Sequence, residues 1–313
     1  MQQLFLGVDG GQSSTTALIG DETGRVLGAG AGGPSNHVGA AGGHEKFVRA
    51  IEGCVSAACR QAGLDAAAAR FEAACLGFSG GPADKEPILG QLVNTARLVV
   101  TTDALIALEG ATAGAPGLIA IAGTGSIAFG RNAAGRTARA GGWGYLFGDE
   151  GGAFSIARQA LREALRYEEG WGPPTALRQA LLEAAGAASA NDLLHRLYTT
   201  EFPRPRIASY AALVDAVAQQ GDTAALEVLR EAAGQLAAIT LAVRGQLFPP
   251  GEAFRAAYVG GVFRSAILLD EYRRRIGFEC APPIHGPAAG ALLEAYRAAG
   301  LAPRLAGLPE FKT

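Results

Sequence analysis

Three turns rich in glycine and hydroxyl residues each follow an apolar run in this chain. The first is Gly10-Gly11-Gln12-Ser13-Ser14-Thr15, directly behind Asp9. The second is Gly123-Thr124-Gly125-Ser126, between the apolar runs 119–122 and 127–130. The third is Gly260-Gly261-Val262-Phe263-Arg264-Ser265, after the run 256–259. Small residues leave backbone N–H groups and hydroxyls uncovered, and such a concavity suits a phosphate. Asp9 stands where it can face a hydrated Mg²⁺. No Gly-Lys-Ser/Thr follows the first turn, so it is not a P-loop. The Gly260-Gly261 pair lets backbone approach a flat ligand such as a nucleoside, or lets a helix pack closely on a strand.

Carboxylates stand between these turns. Asp103 follows the apolar run 97–101 and Thr102, and opens a helical stretch at 104–114. At the carboxyl end of a strand an aspartate faces the ligand crevice of an α/β fold, and it can cap the helix as well. Gly141-Gly142-Trp143-Gly144-Tyr145 leads to Gly148-Asp149-Glu150-Gly151-Gly152, just before a helical stretch at 153–166. Either acid could serve a ligand or cap that helix. Asn36 lies in a loop of breakers at 32–37, where it could read a pair of hydroxyls or simply make a turn.

The elements that must position these groups follow from periodicity. Strands are expected at 4–8, 17–20, 25–29 and 73–78, with helices at 45–63 and 84–92. Gly114-Ala115-Pro116-Gly117 breaks the chain, and a domain boundary is placed there. From Ala153 the sequence is alanine-rich and helical, with a break at Gln219-Gln220-Gly221-Asp222 and a closing helix at 288–299.

Composition narrows the function. The chain has 313 residues, 49% hydrophobic and 18% charged, enough for a sizeable core. A net charge of −2 without a basic block argues against nucleic acid or an anionic membrane as partner. The start MQQLFLGVDGG lacks a basic segment, and no stretch reaches the length of a membrane span, so a cytoplasmic location is expected. Cys54, Cys59, Cys75 and Cys280 form no CxxC pair, and His37, His44, His195 and His285 show no ligand spacing.

The pieces VDGGQSSTT, SNH, TTDA, IAGTGS, GGWGYLFGDEG and VGGVFRS together resemble the actin-like ATPase superfamily, over essentially the whole chain. Within it, GGWGYLFGDEGG is similar to the N-acetylglucosamine kinase branch of the family that also holds the activators of benzoyl-CoA reductase and 2-hydroxyacyl-CoA dehydratase. The resemblance implies an α/β protein of two ribonuclease H-like (actin-like ATPase) domains around a central cleft. The N-terminal domain, with sugar-binding loops, would comprise 1–115 plus 288–313. The C-terminal domain, with the nucleotide pocket, would comprise 116–287.

It also implies an ATP-dependent kinase, using Mg²⁺ at Asp9, that phosphorylates N-acetylglucosamine or glucosamine, on the 6-hydroxyl. Asp103 matches the aspartate that takes the proton from the sugar hydroxyl. Asn36, Ser126, Asp149 and the loop Gly142, Trp143, Gly144, Tyr145 match sugar ligands. Gly10, Gly11, Ser13, Thr15, Gly123, Thr124, Gly125, Ala218, Gly260, Gly261 and Ser265 match nucleotide-binding positions. The partners are then an amino sugar, ATP and a second copy of the chain. A radical-dehydratase activator would need cluster cysteines where this chain has none between Cys75 and Cys280. A non-catalytic ATP-binding switch would not need Asn36, Asp103 and Asp149 together.

Overall fold

A computed structural model describes residues 2–35 and 38–309. The chain divides into two units, Met1–Pro116 with Pro283–Thr313, and Gly117–Pro282. Each is a mixed α/β unit built on its own sheet, as the glycine-turn pattern requires.

In the first unit, β1 (Leu4–Gly10), β2 (Thr15–Asp21) and β3 (Val26–Gly32) form an antiparallel meander. Helix α1 (Gly43–Gln61) follows, then β4 (Ala73–Phe78), the short α2 (Glu86–Leu92), β5 (Leu98–Thr102) and α3 (Asp103–Thr112). The strand order is β3-β2-β1-β4-β5, with β1, β4 and β5 parallel. Side chains alternate across the sheet as the strand period demands. Leu6 and Val8 pack with Phe47, Ile51 and Cys54 of α1, while Phe5 and Leu18 face the opposite layer with Ile106 of α3.

In the second unit, β6 (Gly117–Ala122), β7 (Ser126–Arg131) and β8 (Thr137–Gly141) repeat the antiparallel meander. Helices α4 (Ala153–Glu168), α5 (Leu177–Ala185), α6 (Ala190–Leu197), α7 (Arg204–Gln219) and α8 (Thr223–Leu247) come next. Strand β9 (Arg255–Val259) then joins β6 in parallel, completing the order β8-β7-β6-β9, and α9 (Ala266–Ile276) follows it. The core combines small alanines with leucines, such as Ala233, Leu236 and Ala237 of α8, which let helices and sheet approach closely. Strand β8 was not expected, because Thr-Ala-Arg-Ala-Gly carries neither alternation nor β-branched weight; pairing with β7 makes it a strand.

Helix α10 (Pro287–Ala298) returns to the first unit, where Leu292 and Tyr296 pack on Phe5. Gly7 permits this docking, since a Cβ there would lie 2.2 Å from the Leu292 nitrogen. Among the described residues no helix is long and apolar enough to cross a membrane.

Candidate active site

In the first unit the carboxyl ends of β1, β4 and β5 carry Asp9, Ser79 and Asp103, at the edge where parallel sheets receive ligands. Asp103 is the first residue of α3 and is exposed. Thr102, not Asp103, caps that helix, its hydroxyl accepting from the Leu105 nitrogen at 3.3 Å. The Asp103 carboxylate is thereby spared for other work. Its Oδ2 accepts from Ser79 Oγ at 2.7 Å and its Oδ1 from the Ala104 nitrogen at 2.8 Å. Burial, and then the negative charge of Asp103, push the Asp9 carboxyl up to about 6.

The turn after β1 closes through the Gly11 nitrogen, which donates to the Ser14 carbonyl at 2.9 Å. Ser13 is exposed on it, with Gly11 half-buried. Two expected phosphate groups have other commitments. The Thr15 hydroxyl is buried and donates to the Gly33 carbonyl at 2.7 Å. Gly10 is glycine because the Phe78 ring occupies its Cβ position, 2.1 Å away. Asn36 lies outside the described residues.

In the second unit the β6–β7 turn is docked on the start of α4. The Ala153 and Phe154 nitrogens donate to the Gly123 and Thr124 carbonyls at 2.8 and 3.1 Å. Gly152 caps α4 without a side-chain bond, so neither Asp149 nor Glu150 serves as its cap. A cavity of about 410 Å³ opens beside the turn, lined by Gly123, Thr124, Ala208, Asp215, Gly261 and Ser265 among others. Gly260, at φ 115°, sits on the backbone of β6, where a Cβ would meet the Ala122 carbonyl at 2.2 Å. Gly261 has open space beside it. Ser265 caps α9 by accepting from the Leu268 nitrogen, and its hydroxyl donates to Asp215.

Ala218 requires a correction. It is 2% exposed in the helical core and does not line this cavity; from α7 that role falls to Pro205, Ala208, Ser209, Ala211, Ala212 and Asp215. A larger groove of about 540 Å³, walled by Leu146, Leu161, Leu165, Leu194 and Tyr198, is mostly apolar. Among the described residues its only cations are Arg158 and Arg162, and it presents no glycine turn. The smaller cavity carries the groups suited to a nucleotide.

Residues 142–152 form the loop between β8 and α4. The Gly142 nitrogen donates to the Ser126 carbonyl at 2.9 Å, and positive φ at Gly142 and Gly144 bends the chain back. Trp143 is 66% exposed, under the Arg139 guanidinium. Tyr145 meets Phe154 edge-on at 5.4 Å. The Ser126 hydroxyl is buried and donates to the Glu150 carbonyl at 2.5 Å, so it braces this loop. Asp149 is buried at φ 64°, its carboxylate filling the space that a side chain on Gly125 would need. Its Oδ2 accepts from Arg204 Nη2 at 2.7 Å. Arg204, Ser79 and Asp215 were not foreseen, because each gains its meaning from a partner far along the chain.

The chain is similar to several kinases. A kinase from Clostridium acetobutylicum that acts on N-acetylmuramic acid and N-acetylglucosamine is 32% identical over 86% of this chain and 89% of its own. An N-acetyl-D-glucosamine kinase from Dictyostelium discoideum is 29% identical over 88% of this chain and 90% of its own. A Chromobacterium violaceum protein, solved as a candidate N-acetylglucosamine kinase, superposes with a TM-score of 0.72 at 30% identity, over 93% of this chain and 98% of that one. A Streptomyces griseus glucokinase of the ROK family, at 20% identity and TM-score 0.55, shares the fold. Residues 6–295 match the BadF/BadG/BcrA/BcrD ATPase family, and the chain belongs to it.

Proposed function

We propose that the protein is an ATP-dependent amino-sugar kinase that transfers the γ-phosphoryl group to N-acetylglucosamine or glucosamine, on O6, with Asp103 as general base. One observation carries the reading: an exposed carboxylate at a strand's carboxyl end, freed from capping by Thr102 and aimed by Ser79. This carboxylate accepts the hydroxyl proton as the phosphoryl group leaves ATP for the sugar oxygen. Asp149, in the Gly142–Tyr145 loop region, accepts a hydrogen bond from a sugar hydroxyl, with Asn36 as a further sugar ligand. Trp143, Gly144 and Tyr145 cover the sugar, and Ser126 supports them.

Phosphates are held by the turn at Gly10, Gly11 and Ser13 and by Gly123, Thr124 and Gly125. The nucleoside lies against Gly260, Gly261 and Ser265. The Asp9 carboxyl, desolvated and repelled by Asp103, fits a hydrated Mg²⁺, whose charge would relieve both penalties. Bound there, Mg²⁺ neutralises charge on the phosphates during transfer. A cytoplasmic homodimer belongs to the same proposal, and sedimentation measures its second half.

A coupled ADP-release assay across N-acetylglucosamine, glucosamine, N-acetylmannosamine, N-acetylmuramic acid and glucose tests the reading, with ³¹P NMR of the product locating the phosphate. Turnover on an amino sugar with the phosphate on O6 is expected. ATP hydrolysis indifferent to every sugar would overturn it. That result would favour the activator reading, although all four cysteines are buried.

A further inference from the structure

Arg204 has no role of its own in the phosphoryl-transfer scheme, yet it touches two of the groups that face the sugar. Its Nη2 donates to the buried Asp149 carboxylate at 2.7 Å. The same guanidinium lies 4.9 Å from the Tyr145 ring centre and 5.7 Å from that of Phe154. Its Nε is buried and has no hydrogen-bond partner among the described residues. Asp149 itself occupies the left-handed region at φ 64°. One planar cation therefore ties down two points of the loop: the acid by charge and the tyrosine by its ring face.

Arg204 also heads one face of α7. Residues 204, 208, 211 and 215 recur at helical spacing, and Ala208, Ala211 and Asp215 line the smaller cavity. The far end of that face is anchored separately, by Asp215 accepting from Ser265. A change at Arg204 thus disturbs the loop at 142–152 while Asp215 stays pinned to Ser265.

We infer that Arg204 is a positioning residue for the sugar-facing loop, fixing the Asp149 carboxylate and the Tyr145 ring in the arrangement that receives the amino sugar. The inference rests on the amino-sugar reading given above. Removing the arginine of this part-buried pair leaves the buried Asp149 carboxylate without its counter-charge, so the acid does not keep its place.

The test compares Arg204→Met and Arg204→Lys with the full-length wild type. In Arg204→Met, the KM for the best amino sugar should rise roughly tenfold or more, the loss expected of a charge-assisted hydrogen bond. The KM for ATP should stay within about twofold, given the separate anchor at Asp215. Arg204→Lys keeps the charge without the planar fork, and should recover part of the sugar KM. An unchanged sugar KM in Arg204→Met, or equal rises for sugar and ATP, would overturn the inference. Should the wild type phosphorylate no amino sugar, the functional reading fails by itself. A thermal-unfolding cycle of Arg204→Met and Asp149→Asn then decides: coupled effects support the restraint on Asp149, and additive effects overturn it. If Arg204→Met does not fold, Arg204→Lys carries both measurements, with a raised sugar KM expected and an unchanged one contradicting.

Discussion

Ser79 and Asp103, 24 residues apart in sequence, join the carboxyl ends of two neighbouring parallel strands through a 2.7 Å hydrogen bond from hydroxyl to carboxylate. The serine leaves Asp103 Oδ2 only part of the freedom of an exposed side chain. Orientation of a base is worth rate, because the acceptor oxygen must meet the hydroxyl proton as phosphorus transfers. Ser79→Ala should therefore lower kcat about fivefold, the equivalent of one ordinary hydrogen bond of about 1 kcal/mol, with little change in KM for either substrate. Steady-state kinetics on the best amino sugar checks this, and an unaltered kcat would make Ser79 a bystander.

The Asp9 carboxyl gives a pH-dependent signature. Its value is raised by burial and then by Asp103, from 3.8 to about 6. The folded state holds this proton more tightly than the unfolded state does. Stability from Asp9 is thus fully present below 3.8 and is lost as pH rises through about 6, on the order of 2–3 kcal/mol in all. Asp9→Asn should unfold at a higher temperature than wild type at pH 8, and the gap should close by pH 4. Millimolar Mg²⁺ should raise the wild-type Tm at pH 8 and leave Asp9→Asn unmoved. Calorimetry at the two pH values, with and without the ion, measures both.

Thr124 lines the smaller cavity in the turn after β6, and its carbonyl is already taken by the Phe154 nitrogen. The hydroxyl remains for a phosphate oxygen. Thr124→Val keeps the shape and removes the hydroxyl, so ATP affinity should fall by on the order of 1 kcal/mol, roughly fivefold. Titration calorimetry with a non-hydrolysable ATP analogue reads it directly. Unchanged affinity would move the phosphate away from this turn.

Local chemistry was legible in the sequence, and long-range pairing was not. The first meander, the hairpin at Gly123, and Asp103 at a strand-to-helix junction follow from short stretches read alone. Arg204 could not be read this way, since Asp149 lies 55 positions away and Arg204 follows an undistinguished Phe-Pro stretch. Asp215 pairs with Ser265 across 50 positions for the same reason. Ala218 fell on the wrong side of α7 because an alanine-rich helix does not announce which face is buried. Gly10 and Gly125 show a subtler limit. Their glycine identity is explained by Phe78 and by the Asp149 carboxylate, neighbours that no local pattern reveals.

The account stands on Asp103 as the base. The most direct measurement is the pair of steady-state constants for Asp103→Asn beside Asp149→Asn, on the amino sugar that the wild type uses best. A base acts in the transition state, so Asp103→Asn should lose about 10²-fold or more in kcat with a much smaller change in KM. Asp149→Asn should instead raise the sugar KM, having lost a charged acceptor. Near-normal kcat in Asp103→Asn on every amino sugar would contradict the account and pass the role to Asp149 or Glu150.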